Sequence, residues 1–161
     1  MIFMNIKILA VGKIKEKYHT QAIEEYVKRL GAHCSLSIVE IQSAKILSDS
    51  VEDFEKYKKE EAIKILSQIK PDAFVVTLEI EGKMLSSEGF AAKIQEWTNS
   101  GVAEIVFVIG GANGLHTSVS ARSDFKLSFS KMTFTHQIIR GLLVEQIYRG
   151  FKILKNEPYH R

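Results

Sequence analysis

An open, mostly parallel α/β sheet with helices on both faces is the architecture this sequence predicts, on three observations. Five strand-like apolar segments are separated by helix-like amphipathic ones, the alternation that folds as successive strand-helix-strand units. Ile105-Val106-Phe107-Val108-Ile109 is apolar at every position, so both of its faces must be covered, as they are inside a parallel sheet. Gly110-Gly111-Ala112-Asn113-Gly114 follows at that strand's carboxyl end, where such sheets bind ligands.

Taken in order, Ile6 to Val11 reads as a strand closed by Gly12. Tyr18 to Leu30 carries Ala22, Ile23, Tyr26, Val27 and Leu30 on one helical face, with Gly31 as its stop. Leu36 to Ile41 alternates like a half-buried strand, and Ser50 offers an N-cap to a long helix with Phe54, Tyr57, Ala62, Ile65, Leu66 and Ile69 on its apolar side. Pro71 ends that helix because it can neither donate the backbone bond nor fit the helical turn. Ala73 to Leu78 is a third strand; Ser86 or Ser87 caps a helix through Ala91, Ile94 and Trp97 that Gly101 stops. After the glycine loop come a short helix and a fifth strand, which runs into the polar turn around Leu127-Ser128-Phe129-Ser130-Lys131-Met132. The last helix has a stripe at Ile139, Leu143, Ile147 and Phe151, with Gly141 and Gly150 permitting close approach; it suits a dimer interface or packing on its own sheet.

The chain of 161 residues favours one domain, 1–161, large enough to bury roughly 70% of its unfolded surface. With 45% hydrophobic and 25% charged residues it is ordinary globular material. No apolar run reaches the roughly 18 residues of a membrane span, and the amino terminus has no secretory pattern. The lone Cys34 can form no internal disulfide, so a cytoplasmic location is expected and Cys34 is read as structural. Net charge is +3, but residues 122–161 hold eight Lys or Arg against three acids, leaving −2 for the rest. That positive quarter suits a phosphate-rich partner such as RNA, or is simply a solvated helix face. Lys56 to Glu61 (KYKKEE) mixes both signs and reads as solvated helix; residues 42–49 read as the mobile loop.

Several ligand chemistries are excluded by motif. The first strand-to-helix turn, Val11-Gly12-Lys13-Ile14-Lys15-Glu16, has one glycine where a dinucleotide site needs three, and no P-loop occurs. His19, His33, His116, His136 and His160 fall at no metal-binding spacing, so no metal is expected. No G-x-S-x-G elbow is present for a serine nucleophile. What remains is a site of late loops: Thr77-Leu78-Glu79, Gly110-Gly111 and Leu127 to Met132, backbone-rich walls suited to a flat heterocycle. For the two glycines, a tight turn is the alternative reading.

Five stretches together resemble a known family: ILAVGKIKEKY (Ile8 to Tyr18), VTLEIEGKMLSSE (Val76 to Glu88), FVIGGANGLH (Phe107 to His116), LSFSKMTFTHQIIRGLLVEQIYRGFKI (Leu127 to Ile153) and PYHR (Pro158 to Arg161). In order and spacing they are similar to the ribosomal RNA large subunit methyltransferase H family, of the SPOUT class. Met4 aligns with the usual family start, which makes Met1-Ile2-Phe3 a short extension. The resemblance implies a homodimer whose last helix threads beneath the glycine loop in a trefoil knot. It also implies methyl transfer from S-adenosylmethionine to N3 of a pseudouridine in the helix 69 loop of large-subunit (23S) ribosomal RNA, on assembled ribosomes.

By the same resemblance, the cofactor contacts fall on Leu78, Gly110, Leu127, Ser128, Phe129, Ser130, Lys131 and Met132. His160 is the candidate proton acceptor, with Tyr159, Arg161 and Arg140 as RNA contacts. His136 and Arg140, one helical turn apart, meet phosphate or form a satisfied structural pair. Thr135 stands where the family commonly has proline and can N-cap the last helix instead. Glu145 and Arg149 are spaced as a supporting ion pair. A noncatalytic RNA-binding module and a transfer RNA methyltransferase are the competing expectations.

Overall fold

Strands that are apolar at every position demand cover on both faces, and the computed structural model supplies it. It describes residues 3–48 and 50–160; Met1, Ile2, Asp49 and Arg161 lie outside. Part of the expected extension, one end of the 42–49 loop and one RNA candidate, Arg161, are therefore beyond description. The elements are β1 (Met4–Val11), α1 (Lys17–Leu30), β2 (Cys34–Ile41), α2 (Val51–Ser67), β3 (Phe74–Met84), α3 (Ser87–Asn99), β4 (Glu104–Ile109), α4 (Thr117–Arg122), β5 (Phe125–Ser128) and α5 (His136–Leu154). All pairings are parallel in the order β2-β1-β4-β3-β5, so the doubly covered α/β sheet expected from the alternation is the observed fold.

Strand alternation sorts the core into two layers. Ile105, Phe107 and Ile109 join Ile6, Ile8 and Ala10 against α1, α3 and α5, through Ile23, Ile94, Leu143 and Ile147. Val106 and Val108 join Leu9 and Val11 against α2 and α4, through Ala62, Ile65 and Val119. The stripe of α5 is thereby assigned: Leu143 and Ile147 have no exposed surface and pack on the chain's own sheet. Helix ends follow local chemistry. The side chains of Ser50, Ser86 and Thr135 accept from the backbone N–H groups of Asp53, Gly89 and Ile138, so Thr135 does cap α5.

Two expectations need correction. β3 runs six residues past Leu78, to Met84, because β5 pairs with it twice, opposite Leu78 and again opposite Lys83, across a register shift. At this doubled pairing Gly82 approaches β5 so closely that a Cβ would lie 2.7 Å from the Lys126 carbonyl. Nor is Lys56 to Glu61 wholly solvated, since Tyr57 and Glu61 lie one helical turn apart and face inward. The Tyr57 hydroxyl accepts from the N–H groups of Leu47 (2.6 Å) and Ser48 (3.1 Å), and Glu61 Oε2 from that of Ala44 (3.0 Å). Residues 42–48 are irregular yet tied to α2 at three points. Burial raises the Glu61 carboxyl above its usual range.

Cys34 is buried, and desolvation pushes its thiol up to about 12, which keeps it protonated and inert. His33 stacks on Phe151 at 5.8 Å between centroids and meets the edge of Tyr148, with its Nδ1 buried and unpartnered. Burial first, then Lys155 and Lys152, lower its pKa below the ordinary 6.5, while Glu157 opposes them. The unfolded chain therefore binds this proton more readily. The stabilisation is complete above pH 6.5 and is lost as pH falls through that value toward the folded pKa. His33→Phe, which keeps the stacking, should flatten the fall in melting temperature on acidification; an unaltered acid limb in thermal melts would refute this.

Candidate active site

The middle of β3 and the carboxyl ends of β4 and β5 open into one cleft of about 870 Å³, roofed by the start of α5. Its first wall is the glycine loop. β4 ends at the buried Ile109, and the chain folds back so that the Gly114 N–H donates to the Gly111 carbonyl at 3.0 Å. A Cβ on Gly110 would sit 3.0 Å from Leu115 Cδ2 and 3.1 Å from the Gly114 carbonyl, so any side chain there must push the Leu115 methyl and the 111–114 turn aside.

The second wall is set by hydroxyls. Leu127 and Ser128 are buried at the end of β5, and Ser128 Oγ donates to the Ser130 carbonyl at 3.1 Å. Ser130 Oγ in turn accepts the Met132 N–H at 3.0 Å, so the loop holds its own shape. The third wall is Leu78 and Glu79 on β3. Thr77 Oγ1 (2.6 Å) and Ser120 Oγ (2.9 and 3.1 Å) both donate to the Glu79 carboxylate. Leu78, Gly110, Leu127, Ser128, Phe129, Ser130 and Met132 all line the cleft, whereas Lys131 is exposed beside it.

His136 also lines the cleft, from the first turn of α5, a position the spacing had offered to phosphate or to a structural pair with Arg140. Burial, followed by the charges of Arg140 and Lys15, lowers its pKa below the usual histidine value. These surroundings favour the neutral ring. Arg140 is a correction. Only 1% of it is exposed, and it donates to Glu40 Oε2 at 2.7 Å and the Gly12 carbonyl at 3.0 Å. A guanidinium shut beneath the β1–α1 turn meets no RNA phosphate; it fastens the cleft end of α5 to the sheet.

The tail packs outside the cleft of its own chain. His160 does not line the cleft: Nε2 lies 2.7 Å from Glu88 Oε1, and Nδ1 lies 3.2 Å from Arg149. Tyr159, also outside the cleft, donates to Glu145 Oε1 at 3.0 Å and shares a 3.1 Å hydrogen bond with Tyr26. Burial and these partners raise its phenol pKa. Arg149 completes the knot of contacts, donating to Glu145 at 2.6 and 3.1 Å and lying over the Tyr159 ring. The sequence spacing had found the Glu145 and Arg149 pair, but nothing local announced the tyrosines that join it. Among the described residues, no cluster of three or more His, Cys, Asp or Glu side chains is placed to hold a metal, and no helix is long and apolar enough to cross a membrane.

Among solved structures the chain is similar to a probable methylase family protein from Haemophilus influenzae Rd KW20. The TM-score is 0.54, at 12% identity over 99% of this chain and 72% of that one, a likeness of fold. A family described as "Predicted SPOUT methyltransferase" matches residues 4–160, the whole of the sheet, its helices and the cleft. This chain belongs to the SPOUT methyltransferase family, whose members take the transferred methyl group from S-adenosylmethionine.

Proposed function

We propose that this enzyme methylates N3 of a pseudouridine in the helix 69 loop of 23S ribosomal RNA, on assembled ribosomes, as a homodimer carrying the family's trefoil knot. The observation that carries the reading is the convergence of Leu78, Gly110 and the 127–132 loop, the positions marked by the motif resemblance, on a single cleft beside the start of α5. Residues Thr135 to Gln137 share that cleft with the glycine loop, which suits a final helix passed beneath it.

The residues present fit the cofactor. Leu78, Ile109, Leu127 and Phe129 offer apolar surface to a flat ring, and the side-chain-free Gly110 and Gly111 leave backbone groups within its reach. When bound, S-adenosylmethionine supplies a methyl group on a sulfonium sulfur, already a good electrophile. The chain's own work is to align that methyl with the attacking nitrogen and to receive the imide proton. Exposed Lys131 follows the cleft-lining Ser130, and exposed Lys15, whose backbone N–H reaches Gln137 at 3.4 Å, acts by its charge on His136, so positive charge lies near the cleft, which suits an RNA partner.

Exposed Phe134, Ile138 and Leu142 follow one side of the start of α5, away from its buried stripe, next to exposed Met132. This apolar strip is the proposed dimer face. His160 is tied away from its own cleft, so it serves the reaction only in a partner's. Leu142→Asp should convert the dimer to monomer in sedimentation, lower methyl transfer roughly a hundredfold and leave cofactor binding intact. A variant that remains dimeric would refute the assigned face. For the substrate, labelled methyl transfer should appear in intact ribosomes and not in transfer RNA; label confined to transfer RNA would overturn the ribosomal assignment.

A further inference from the structure

Among the described residues, Glu79 is a cleft residue with two hydroxyl partners and no ion-pair cation. Thr77 Oγ1 holds Oε2 from β3 at 2.6 Å, and Ser120 Oγ reaches both oxygens from α4 at 2.9 and 3.1 Å. The carboxylate is therefore positioned from two elements before any ligand arrives. A carboxylate offers about four acceptor positions, and two hydroxyls supply only one proton each. Acceptor capacity remains on a group that lines the cleft. Among the described residues, the ion pairs of the chain leave Glu79 out.

The carboxylate is half-buried beside Leu78, Ile109 and Leu127, so a ligand in the cleft would displace water from its remaining acceptor positions and must bring donors to replace it. We infer that the Glu79 carboxylate accepts a hydrogen bond from the bound methyl donor, from its ribose hydroxyls or its α-ammonium group, and so contributes to cofactor selection. The inference rests on the assignment of the cleft to S-adenosylmethionine. It gives the Thr77 and Ser120 hydroxyls a function as positioning groups for that acceptor.

Calorimetry on the full chain tests this with three ligands: S-adenosylmethionine, S-adenosylhomocysteine and 5′-methylthioadenosine, which keeps the ribose but lacks the amino-acid group. Glu79→Gln, close in shape and neutral, should weaken S-adenosylmethionine about tenfold. A parallel loss with methylthioadenosine assigns the ribose hydroxyls; a loss confined to the two ligands with an ammonium group assigns that group. Affinities within about twofold of wild type for all three overturn the inference. If Glu79→Gln does not fold, Ser120→Ala decides: it keeps the charge but loosens the carboxylate, and should cost about threefold or more in affinity with the same ligand pattern. A purely structural staple between β3 and α4 would lower the melting temperature of Ser120→Ala and leave its affinities unchanged, which overturns the inference. Wild-type protein that binds none of the three ligands sinks the cofactor assignment itself and this inference with it.

Discussion

Gly110→Val should remove measurable binding of S-adenosylmethionine, a loss of a hundredfold or more on the order expected when a wall of a preformed cleft is displaced. Backbone strain is not the cause, since Gly110 is absent from the positive-φ positions of the described chain. Space is. A Cβ would already press within 3.1 Å of the Gly114 backbone and 3.0 Å of Leu115, and the two further methyl groups of valine force the 111–114 turn outward into the cleft. The sheet beneath is held by β1, β3 and β4 pairings that the loop does not touch, so circular dichroism should report a folded protein. Calorimetry decides the matter: affinity within about tenfold of wild type would mean that this wall does not contact the cofactor.

Arg140→Ala should cost roughly 3 kcal/mol, equivalent to about 6–12 °C in melting temperature for a chain of this size. Arg140 is the bulkiest of the fully buried side chains, and its removal leaves a void together with an unpaired Gly12 carbonyl. Glu40 is 42% exposed at its side chain and can return to water, so the figure lies at the lower end for a broken buried pair. Arg140→Met should recover much of the loss, because it restores volume and removes the buried Nε that has no partner. A drop below about 2 °C for the alanine variant would contradict the structural role and reopen the phosphate reading.

Much of the fold was legible in the chain because its signals are local. The unbroken apolarity of β4 and the apolar run ending β1, the serine and threonine caps of α2, α3 and α5, and the glycine after β4 each act within a few residues. Two walls of the cleft were legible for the same reason, as each follows a strand end, whereas the Leu78 wall lies within a strand that runs on to Met84. The extension of β3 was not, since Glu79 to Lys83 are too polar to read as strand and are held there by β5. Glu61 was misread because its carboxylate is satisfied by Ala44, 17 residues away.

By itself the sequence determined the alternating strands and helices, the parallel sheet and the loops that line the cleft after β4 and β5, since backbone propensity and apolar periodicity decide these within short windows. Tertiary structure alone decided which charged and aromatic side chains are free. Arg140 was claimed by Glu40, 100 residues away, and by the Gly12 carbonyl, 128 away. His160 was claimed by Glu88, 72 away. The physical reason is that a charged side chain goes wherever folding brings an oppositely charged or hydrogen-bonding partner, and such partners lie far beyond any window in which sequence periodicity can be read.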